Sequence, residues 1–505
     1  MRKFALIAIA VLICISVLAF SSCAAYGGSP LIWSDSPDSS QPPSSPSNEF
    51  GISENPEIDT SVQDNINFSV DMHTANYMLF KNMLLGESAH TLRRQDLASI
   101  AQADQMLNYF DYDYSQPEGD APLALTASVF DSPFNSNSKL LTIGLKAREI
   151  KLEATANNIV VLLDVSGSMS SDTKLGMAKR AILTMVENLS PEDKISLVTY
   201  ASGSRTIFSG ISPSDYEYIE RAVNSLSASG STNGEGGLNN AYSIAQDYYI
   251  TKGNNRIILM SDGDFNVGIS SQKELTDYIS EQRDKGIYLS CIGFGEAYNY
   301  SLKTMEALAK HGNGNWGYIH NEEDIRKLLV TGLDSTLLTI AKDVKANIGF
   351  NSNIVDTFRL IGYESNILDD EEYEDDTTDA GEIGSGFSLT ICFELHIKPE
   401  ADLSVNTENF GQVNLKYKNP DDDVNAPSKE LTLPVEASCY KTTLSDTDVF
   451  VSSVVEFALI AIESEYKADA SLDNVISSLE SLNLTDKYKL EFLQVVKTYK
   501  DIFFS

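Results

Sequence analysis

Apolar runs alternate with amphipathic stretches through the middle of the chain, from residue 156 to residue 340. Runs such as NIVVLLD (158–164) and RIILMSD (256–262) are apolar at consecutive positions, which is typical of strands covered on both faces. The stretch after the first run has apolar residues at helical spacing: Leu175, Ala178, Ile182, Met185 and Leu189. This alternation predicts a doubly wound α/β domain with a mostly parallel, Rossmann-like sheet.

The region before this domain, residues 66–155, has a mixed pattern. Its first part, to about residue 118, has apolar positions that predict a small helical unit beginning with Phe68 and Val70. Two strand-like runs follow, ALTASVF and KLLTIGLK. We therefore expect an N-terminal flanking domain that is separate from the central one.

Two further regions follow the central domain. Residues 341–444 contain strand-like runs separated by polar turns rich in Gly and Asp, which predicts an antiparallel β-sandwich. Residues 445–505 return to helical spacing, and Ser445 with Asp448 resembles a capping box at the start of the first helix. The expected C-terminal region is therefore helical.

The N-terminus follows the pattern of a secretory leader. Arg2 and Lys3 precede a long apolar stretch, and the ending Phe20-Ser21-Ser22-Cys23 resembles the lipobox of bacterial lipoproteins. We expect residues 1–22 to be a lipoprotein signal peptide and Cys23 to be the lipidated residue. An uncleaved membrane anchor is the alternative, and both interpretations place the bulk of the chain outside the cytoplasm on the bacterial cell membrane.

Residues 23–65 are dense in Ser, Pro, Asp and Asn and have few apolar residues. Such a segment buries too little apolar surface to offset the entropy of ordering, so we expect a flexible tether. The whole chain has a formal charge of −35, which argues against nucleic acid as a partner. Cys291 is expected to be a buried thiol, whereas a disulfide between Cys392 and Cys439 stays open from the sequence.

Oxygen-bearing side chains follow two of the predicted strands. Asp164, Ser166 and Ser168 end the first strand, Asp262 ends RIILMSD, and Thr232 lies in the Gly-rich loop between them. Because ligands of open α/β sheets bind beyond the carboxyl ends of the strands, we expect these side chains to converge. Two carboxylates and three hydroxyls are hard donors that suit Mg²⁺, Ca²⁺ or Mn²⁺ rather than Zn²⁺.

Enzymatic alternatives lack the residues they need. A phosphotransferase of the haloacid-dehalogenase kind would have a second Asp at position 166, and a dinucleotide site would have a glycine fingerprint after the first strand. A hydrolase triad would need a histidine near the site, but the histidines are scattered along the chain: His73, His90, His311, His320 and His396. We therefore expect no catalytic activity.

The motif DVSGSM, with GST at 230–232 and SDG at 261–263, resembles the metal-ion-dependent adhesion site of von Willebrand factor type A (VWA) domains. The resemblance implies that the hydroxyls of Ser166, Ser168 and Thr232 coordinate the ion directly. It implies that Asp164 and Asp262 act directly or through water, with Mg²⁺ as the first expectation and Mn²⁺ or Ca²⁺ as alternatives. It also implies that an acidic residue of the partner completes the coordination shell.

The resemblance extends beyond the central domain. The segments NYFDYDY (108–114), TIGLKAREI (142–150) and DAGEIGSG (379–386) are similar to segments that flank this domain in a group of bacterial VWA lipoproteins. That group has an N-terminal and a C-terminal domain of its own. The resemblance therefore implies the architecture of nearly everything after residue 66.

Together these features predict a cell-surface, adhesion-type protein that binds a protein or another acidic ligand through a divalent metal. The alternative is an envelope scaffold or assembly factor in which the metal is only structural. The acidic run DDEEYEDDTTD (369–379) leaves a second cation site open. Its spacing does not match an EF-hand loop, so a solvated loop is the simpler expectation.

Overall fold

The computed structural model describes residues 52–263, 272–295 and 300–504. The expected signal peptide, Cys23 and the tether up to residue 51 lie outside the described residues. Among the helices of the described part of the chain, none combines the length and apolar character needed to cross a membrane.

The elements fall into three consecutive stretches of the chain. The first contains β1 (Ile58–Asp59), β2 (Asn65–Ser69), α1 (Ala75–Leu85), α2 (Arg94–Ala98), α3 (Ala103–Asn108), β3 (Leu123–Asp131) and β4 (Lys139–Ala147). The second contains β5 (Asn157–Asp164), α4 (Met177–Glu187), β6 (Lys194–Tyr200), β7 (Ser204–Ile211), α5 (Tyr216–Asn224), α6 (Gly234–Asp247), β8 (Asn254–Ser261), α7 (Gln272–Asp284), β9 (Tyr288–Phe294), α8 (Tyr300–His311), β10 (Trp316–Ile319), α9 (Glu322–Arg326) and α10 (Leu333–Leu337). The third contains β11 (Thr339–Phe350), β12 (Val355–Ile361), β13 (Ile367–Leu368), α11 (Asp370–Glu374), β14 (Gly381–Gly384), β15 (Ser388–Ile397), β16 (Gly411–Lys418), β17 (Lys429–Val435), β18 (Tyr440–Lys441), α12 (Asp446–Ala461), α13 (Leu472–Ser481) and α14 (Lys487–Phe504).

The central stretch forms the predicted doubly wound α/β domain. Its sheet has the order β10-β9-β8-β5-β6-β7, in which only the edge strand β7 runs antiparallel to its neighbour. Every residue of β5 and β8 is buried, because α6, α7 and α8 cover one face while α4, α5, α9 and α10 cover the other. Between β10 and β11 the chain forms α9, a π-helical turn (Lys327–Thr331) and α10.

The β-sandwich draws strands from both ends of the chain. One sheet has the order β1-β12-β15-β4-β3-β18, the other has the order β13-β2-β11-β16-β17, and their apolar faces share one core. Phe68 of β2 is opposite Ala346 of β11, and Leu141 of β4 is opposite Phe393 of β15. The two regions that the sequence predicts as separate flanking units are therefore interleaved, because each supplies strands that the other needs as hydrogen-bond partners.

The segment predicted as the start of a helical unit is instead a strand. Phe68 lies in β2, and Val70 follows that strand, with its backbone N–H donating to the carbonyl of Val344 (2.9 Å). Both side chains are fully buried in the sandwich core. The helical unit begins only at Ala75.

The end of the expected tether is also ordered. Residues 52–65 include β1 and are held by buried polar contacts, while Ile52 and Ile58 pack at the edges of the two adjoining cores. The amide of Asn55 donates to the carbonyl of Gly362 (2.7 Å), and the hydroxyl of Thr60 donates to the carbonyl of Val355 (2.7 Å). Hydrogen bonds of this kind cannot be predicted from the hydrophobic pattern, so the pattern assigns this segment to the tether.

The helices at the two ends of the chain pack together on the α/β domain. Aromatic side chains on these helices and just after α3 form one cluster: Phe80, Phe110, Phe450, Phe457, Phe492 and Tyr499. Lys81 of α1 is buried, and its ammonium lies 3.1 Å from both Asp324 Oδ1 and Glu491 Oε1. This lysine joins one helix from each of the three stretches.

Cys392 and Cys439 are free thiols in the structure. Cys392 lies on β15, and Cys439 lies next to β18. Because β3 and β4 run between these two strands, the cysteines are separated by three inter-strand spacings, roughly 14 Å. That separation is too long for a disulfide.

The acidic run contacts cations that the chain itself supplies. Lys345 Nζ donates to the backbone carbonyls of Glu372 (3.1 Å) and Asp375 (2.6 Å). Asp379 pairs with Arg283, with 2.7 Å between Oδ2 and Nη1. Ammonium and guanidinium groups therefore lie against this run.

Candidate functional site

The site begins where β5 ends in a buried carboxylate. Asp164 is fully buried, and each of its oxygens accepts a hydrogen bond. The backbone N–H of Ser166 donates to Oδ1 (2.8 Å), and the hydroxyl of Ser261, at the end of β8, donates to Oδ2 (3.1 Å). These two donors fix the carboxylate at the carboxyl edge of the sheet, between two neighbouring parallel strands.

The two serines of the DVSGSM motif meet at the same point. The strand does not continue past Asp164, because residues 167–169 form a 3₁₀ turn that buries Met169. The turn brings the hydroxyl oxygens of Ser166 and Ser168 to 3.0 Å from each other. Ser166 is buried and Ser168 is exposed, so this pair of oxygens connects the buried carboxylate to the surface.

The Gly-rich loop before α6 is tied to the same edge by backbone hydrogen bonds. The N–H of Gly167 donates to the carbonyl of Gly230 (3.0 Å), and the N–H of Ser229 donates to the carbonyl of Val165 (2.8 Å). Gly230 has a φ of 85°, a left-handed conformation that favours glycine. The structure places Thr232, which is half-buried, at this edge through the position of its loop.

Asp262 directly follows β8 and is mostly buried. Its Oδ2 accepts a hydrogen bond from Lys174 Nζ (2.8 Å), and the same ammonium donates to the carbonyl of Ser168 (3.1 Å). Lys174 lies in a π-helical turn, Asp172–Gly176, just before α4. A cationic side chain is therefore built into the predicted set of oxygen donors.

Burial and charge act together on Asp164. Burial raises the pKa of this carboxyl above its ordinary value, the N–H of Ser166 acts in the opposite direction, and the negative charge of Asp262 raises the pKa further. Tyr200, buried at the end of β6, has a pKa raised well above its ordinary value by burial and then by the charge of Asp164. The site thus holds two interacting carboxylates in a low-dielectric position, where a nearby cation is strongly favoured.

These residues fit a hard divalent ion. Two carboxylates and adjacent hydroxyl oxygens are the donor types that Mg²⁺, Mn²⁺ and Ca²⁺ prefer. Within residues 52–263, 272–295 and 300–504, no group of three His, Cys, Asp or Glu side chains is arranged to hold a metal ion. The residues that would hold such an ion at this edge are Asp164, Ser166, Ser168, Thr232 and Asp262.

Sequence reasoning missed two residues of the site. Ser261 was quoted within the SDG motif but was given no role, although its hydroxyl binds Asp164 and accepts from the N–H of Gly263 (3.1 Å). Its position directly before Asp262, at the end of a buried strand, was the available signal. No sequence motif indicates Lys174, because its long side chain reaches Asp262 from a separate turn.

Comparison with known proteins supports this architecture along most of the chain. Residues 158–330 match the family described as "von Willebrand factor type A domain", residues 47–142 match "von Willebrand factor", and residues 335–502 match "Uncharacterized protein YfbK, C-terminal". The Escherichia coli (strain K12) protein YfbK is 33% identical over 415 residues, which cover 75% of this chain and 71% of that protein.

More distant similarities are confined to shorter stretches or to the fold. The human inter-alpha-trypsin inhibitor heavy chain H4 is 27% identical over 185 residues, which cover 34% of this chain and 19% of that protein. A solved VWA structure from Catenulispora acidiphila is 16% identical, covers 73% of this chain and 89% of its own, and has a TM-score of 0.42. The chain belongs to the family of bacterial VWA proteins with flanking domains that includes the Escherichia coli protein YfbK.

Proposed function

We propose that this protein binds an acidic ligand through a divalent cation held at the carboxyl edge of its VWA domain. VWA domains commonly bind a divalent metal at this position, and the present chain carries the five side chains that the motif requires. The observation that carries the proposal is the 3.0 Å approach of the Ser166 and Ser168 hydroxyls beside the buried carboxylate of Asp164. Mg²⁺ is the proposed ion.

The physical basis is the balance of charge around the ion. Neutral hydroxyls reduce the charge of a cation less than carboxylates do, so an ion held largely by hydroxyls remains attractive to a further anion. Ser168 is exposed, which gives a ligand carboxylate a route to the ion. The proposed ligand is a protein, or another molecule, that supplies one acidic group, and the proposed role is non-catalytic binding.

The proposed setting is the outer face of the bacterial cell membrane, with a lipid on Cys23. This part of the proposal depends on the N-terminal sequence pattern described above. The expected result is incorporation of labelled palmitate into the full-length protein that is lost on Cys23→Ser substitution. Membrane-bound wild-type protein that takes up no palmitate would favour the uncleaved anchor instead.

Calorimetry tests the metal site. Asp164→Ala in the full-length protein should abolish Mg²⁺ and Mn²⁺ binding while the circular dichroism spectrum stays unchanged. Asp247→Ala is a matched control, because Asp247 is an exposed carboxylate at the end of α6, away from the site, and its loss changes the net charge equally. Unchanged metal affinity in Asp164→Ala would refute the assignment.

A scaffold role in the cell envelope is the second candidate. The observation that favours it is the interleaved sandwich, which fixes both flanking regions rigidly to one core. Capture of an envelope partner with and without EDTA separates the two functions. Capture that is insensitive to EDTA would favour the scaffold, and capture that requires the metal would favour adhesion.

A further inference from the structure

Lys174 is the cationic side chain in the candidate metal site, and the fold positions it there with several contacts. Its ammonium donates to Asp262 Oδ2 (2.8 Å) and to the carbonyl of Ser168 (3.1 Å). About a quarter of the side chain is exposed, whereas the side chain of Asp262 is almost fully buried. The ammonium therefore lies between the buried carboxylate and the solvent.

The path of the lysine stem is shaped by a glycine after β9. Gly295 has a φ of 87°, and a Cβ built on it would lie 2.6 Å from Lys174 Cε and 2.8 Å from Cγ. A side chain at position 295 would therefore collide with the stem. The π-helical turn that carries Lys174 is a rare conformation that is often found at functional sites. Two independent local features thus direct one ammonium to Asp262.

The charge of the site depends on this lysine. Asp164 and Asp262 together carry −2, and Lys174 brings the sum to −1. A divalent ion then changes the sum to +1, and a monoanionic ligand brings it to zero. With a neutral residue at position 174, the same three states have charges of −2, 0 and −1.

We propose that Lys174 is a specificity-determining residue, whose ammonium weakens the hold of the two carboxylates on a divalent ion and strengthens the binding of a carboxylate ligand to that ion. The inference rests on the proposed function and adds the residue that sets the balance between the two affinities. Repulsion between the ammonium and the ion lowers the affinity for the ion, and attraction between the ammonium and the ligand raises the affinity for the ligand. The two effects have opposite signs.

The test measures both affinities in the full-length protein. Mn²⁺ binding is measured from the electron paramagnetic resonance signal of the free ion. Acetate, as the simplest carboxylate, is then titrated into the Mn²⁺ complex, and its binding is measured from the water proton relaxation rate. Lys174→Gln should bind Mn²⁺ on the order of tenfold more tightly and acetate on the order of tenfold more weakly. Both changes should shrink at high ionic strength.

Two variants control for charge and for folding. Lys285→Gln removes the same charge from a lysine that pairs with Glu281 just after α7. Lys285 lies before the start of β9, at the edge of the sheet opposite to the candidate site. Both of its affinities should match those of the wild type. Lys174→Arg keeps the charge and should retain the wild-type pattern of tight acetate and weaker Mn²⁺ binding.

The outcomes separate this inference from the proposed function. Wild-type protein that does not bind Mn²⁺ would overturn both. Wild-type protein that binds Mn²⁺, together with a Lys174→Gln variant whose acetate affinity is unchanged or higher, would overturn only the role of the lysine. Weaker or unchanged Mn²⁺ binding in folded Lys174→Gln would have the same consequence.

Discussion

Lys81 is expected to stabilise the contact between the end helices and the VWA domain. Its ammonium lies between Asp324 and Glu491, at 3.1 Å from each. Burial lowers the pKa of Lys81, but the two carboxylates outweigh burial and the net shift is upward. Lys81→Met would leave the buried carboxylate of Asp324 without its counter-charge.

The expected cost can be worked out from this geometry. Asp324 also accepts hydrogen bonds from the amide of Asn82 (2.8 Å) and the N–H of His320 (3.0 Å), so part of its solvation is retained. Removing one partner of a buried ion pair costs about 3–5 kcal/mol. With an unfolding entropy of about 2.1 cal/mol/K per residue over the roughly 440 described residues, this corresponds to a Tm lower by about 3–5 °C.

Differential scanning calorimetry with a matched surface variant measures this cost. Lys487→Met removes the same charge from an exposed pair with Glu323, and exposed pairs contribute about 0–1 kcal/mol. Lys81→Met should therefore lower Tm several times more than Lys487→Met. Equal losses in the two variants would refute the argument that burial of the ion pair sets its contribution.

Two further predictions concern the C-terminal helices. Ser445 caps α12, because its hydroxyl accepts a hydrogen bond from the N–H of Asp448 (3.2 Å). Ser445→Ala should therefore lower the free energy of unfolding, measured by urea denaturation, by about 1 kcal/mol. An unchanged denaturation midpoint would contradict the cap. Burial raises the pKa of Glu456 to about 7. Because the folded state therefore favours the protonated form, the stability contributed by Glu456 is fully present below about pH 4.5 and is lost as the pH rises through about 7, a loss of about 3 kcal/mol. The Tm of Glu456→Gln should fall less between pH 5 and pH 8 than the Tm of the wild type. Parallel curves of Tm against pH for the two proteins would refute this.

The central domain was predictable because its information is local. Strands buried on both faces and helices with one apolar stripe can be recognised within a few residues, so the apolar runs at 158–164 and 256–262 fall on the buried strands β5 and β8. The capping box at Ser445 and Asp448 was predictable for the same reason.

The flanking regions could not be separated correctly because their information is non-local. Phe68 lies in a strand because β2 pairs with β11, and β11 follows the whole VWA domain in the sequence. Similarly, the order of residues 52–65 depends on acceptors such as the carbonyl of Gly362. The local sequence of neither segment indicates which distant strand or carbonyl it will bind.

The candidate site shows the same division. The spacing of Asp164, Ser166 and Ser168 at the end of a strand makes them candidates from the sequence alone. Thr232 lies in a Gly-rich loop just before a helix, and Asp262 directly follows a strand, so both lie at the boundary of an element. Lys174 reaches the site on a long stem, past Gly295 of another loop. Its role depends on a packing relationship rather than on spacing.

The interleaved sandwich also constrains the order in which the chain can fold. The strands of the VWA domain come from one continuous stretch of the chain, so its sheet can form without either flanking region. Strand β2 must wait for β11, and helix α1 must wait for α12 and α14. Strand β2 and helix α1 are thus among the last elements to be buried although they come early in the chain, and their apolar side chains stay exposed to aggregation until the C-terminal partners arrive.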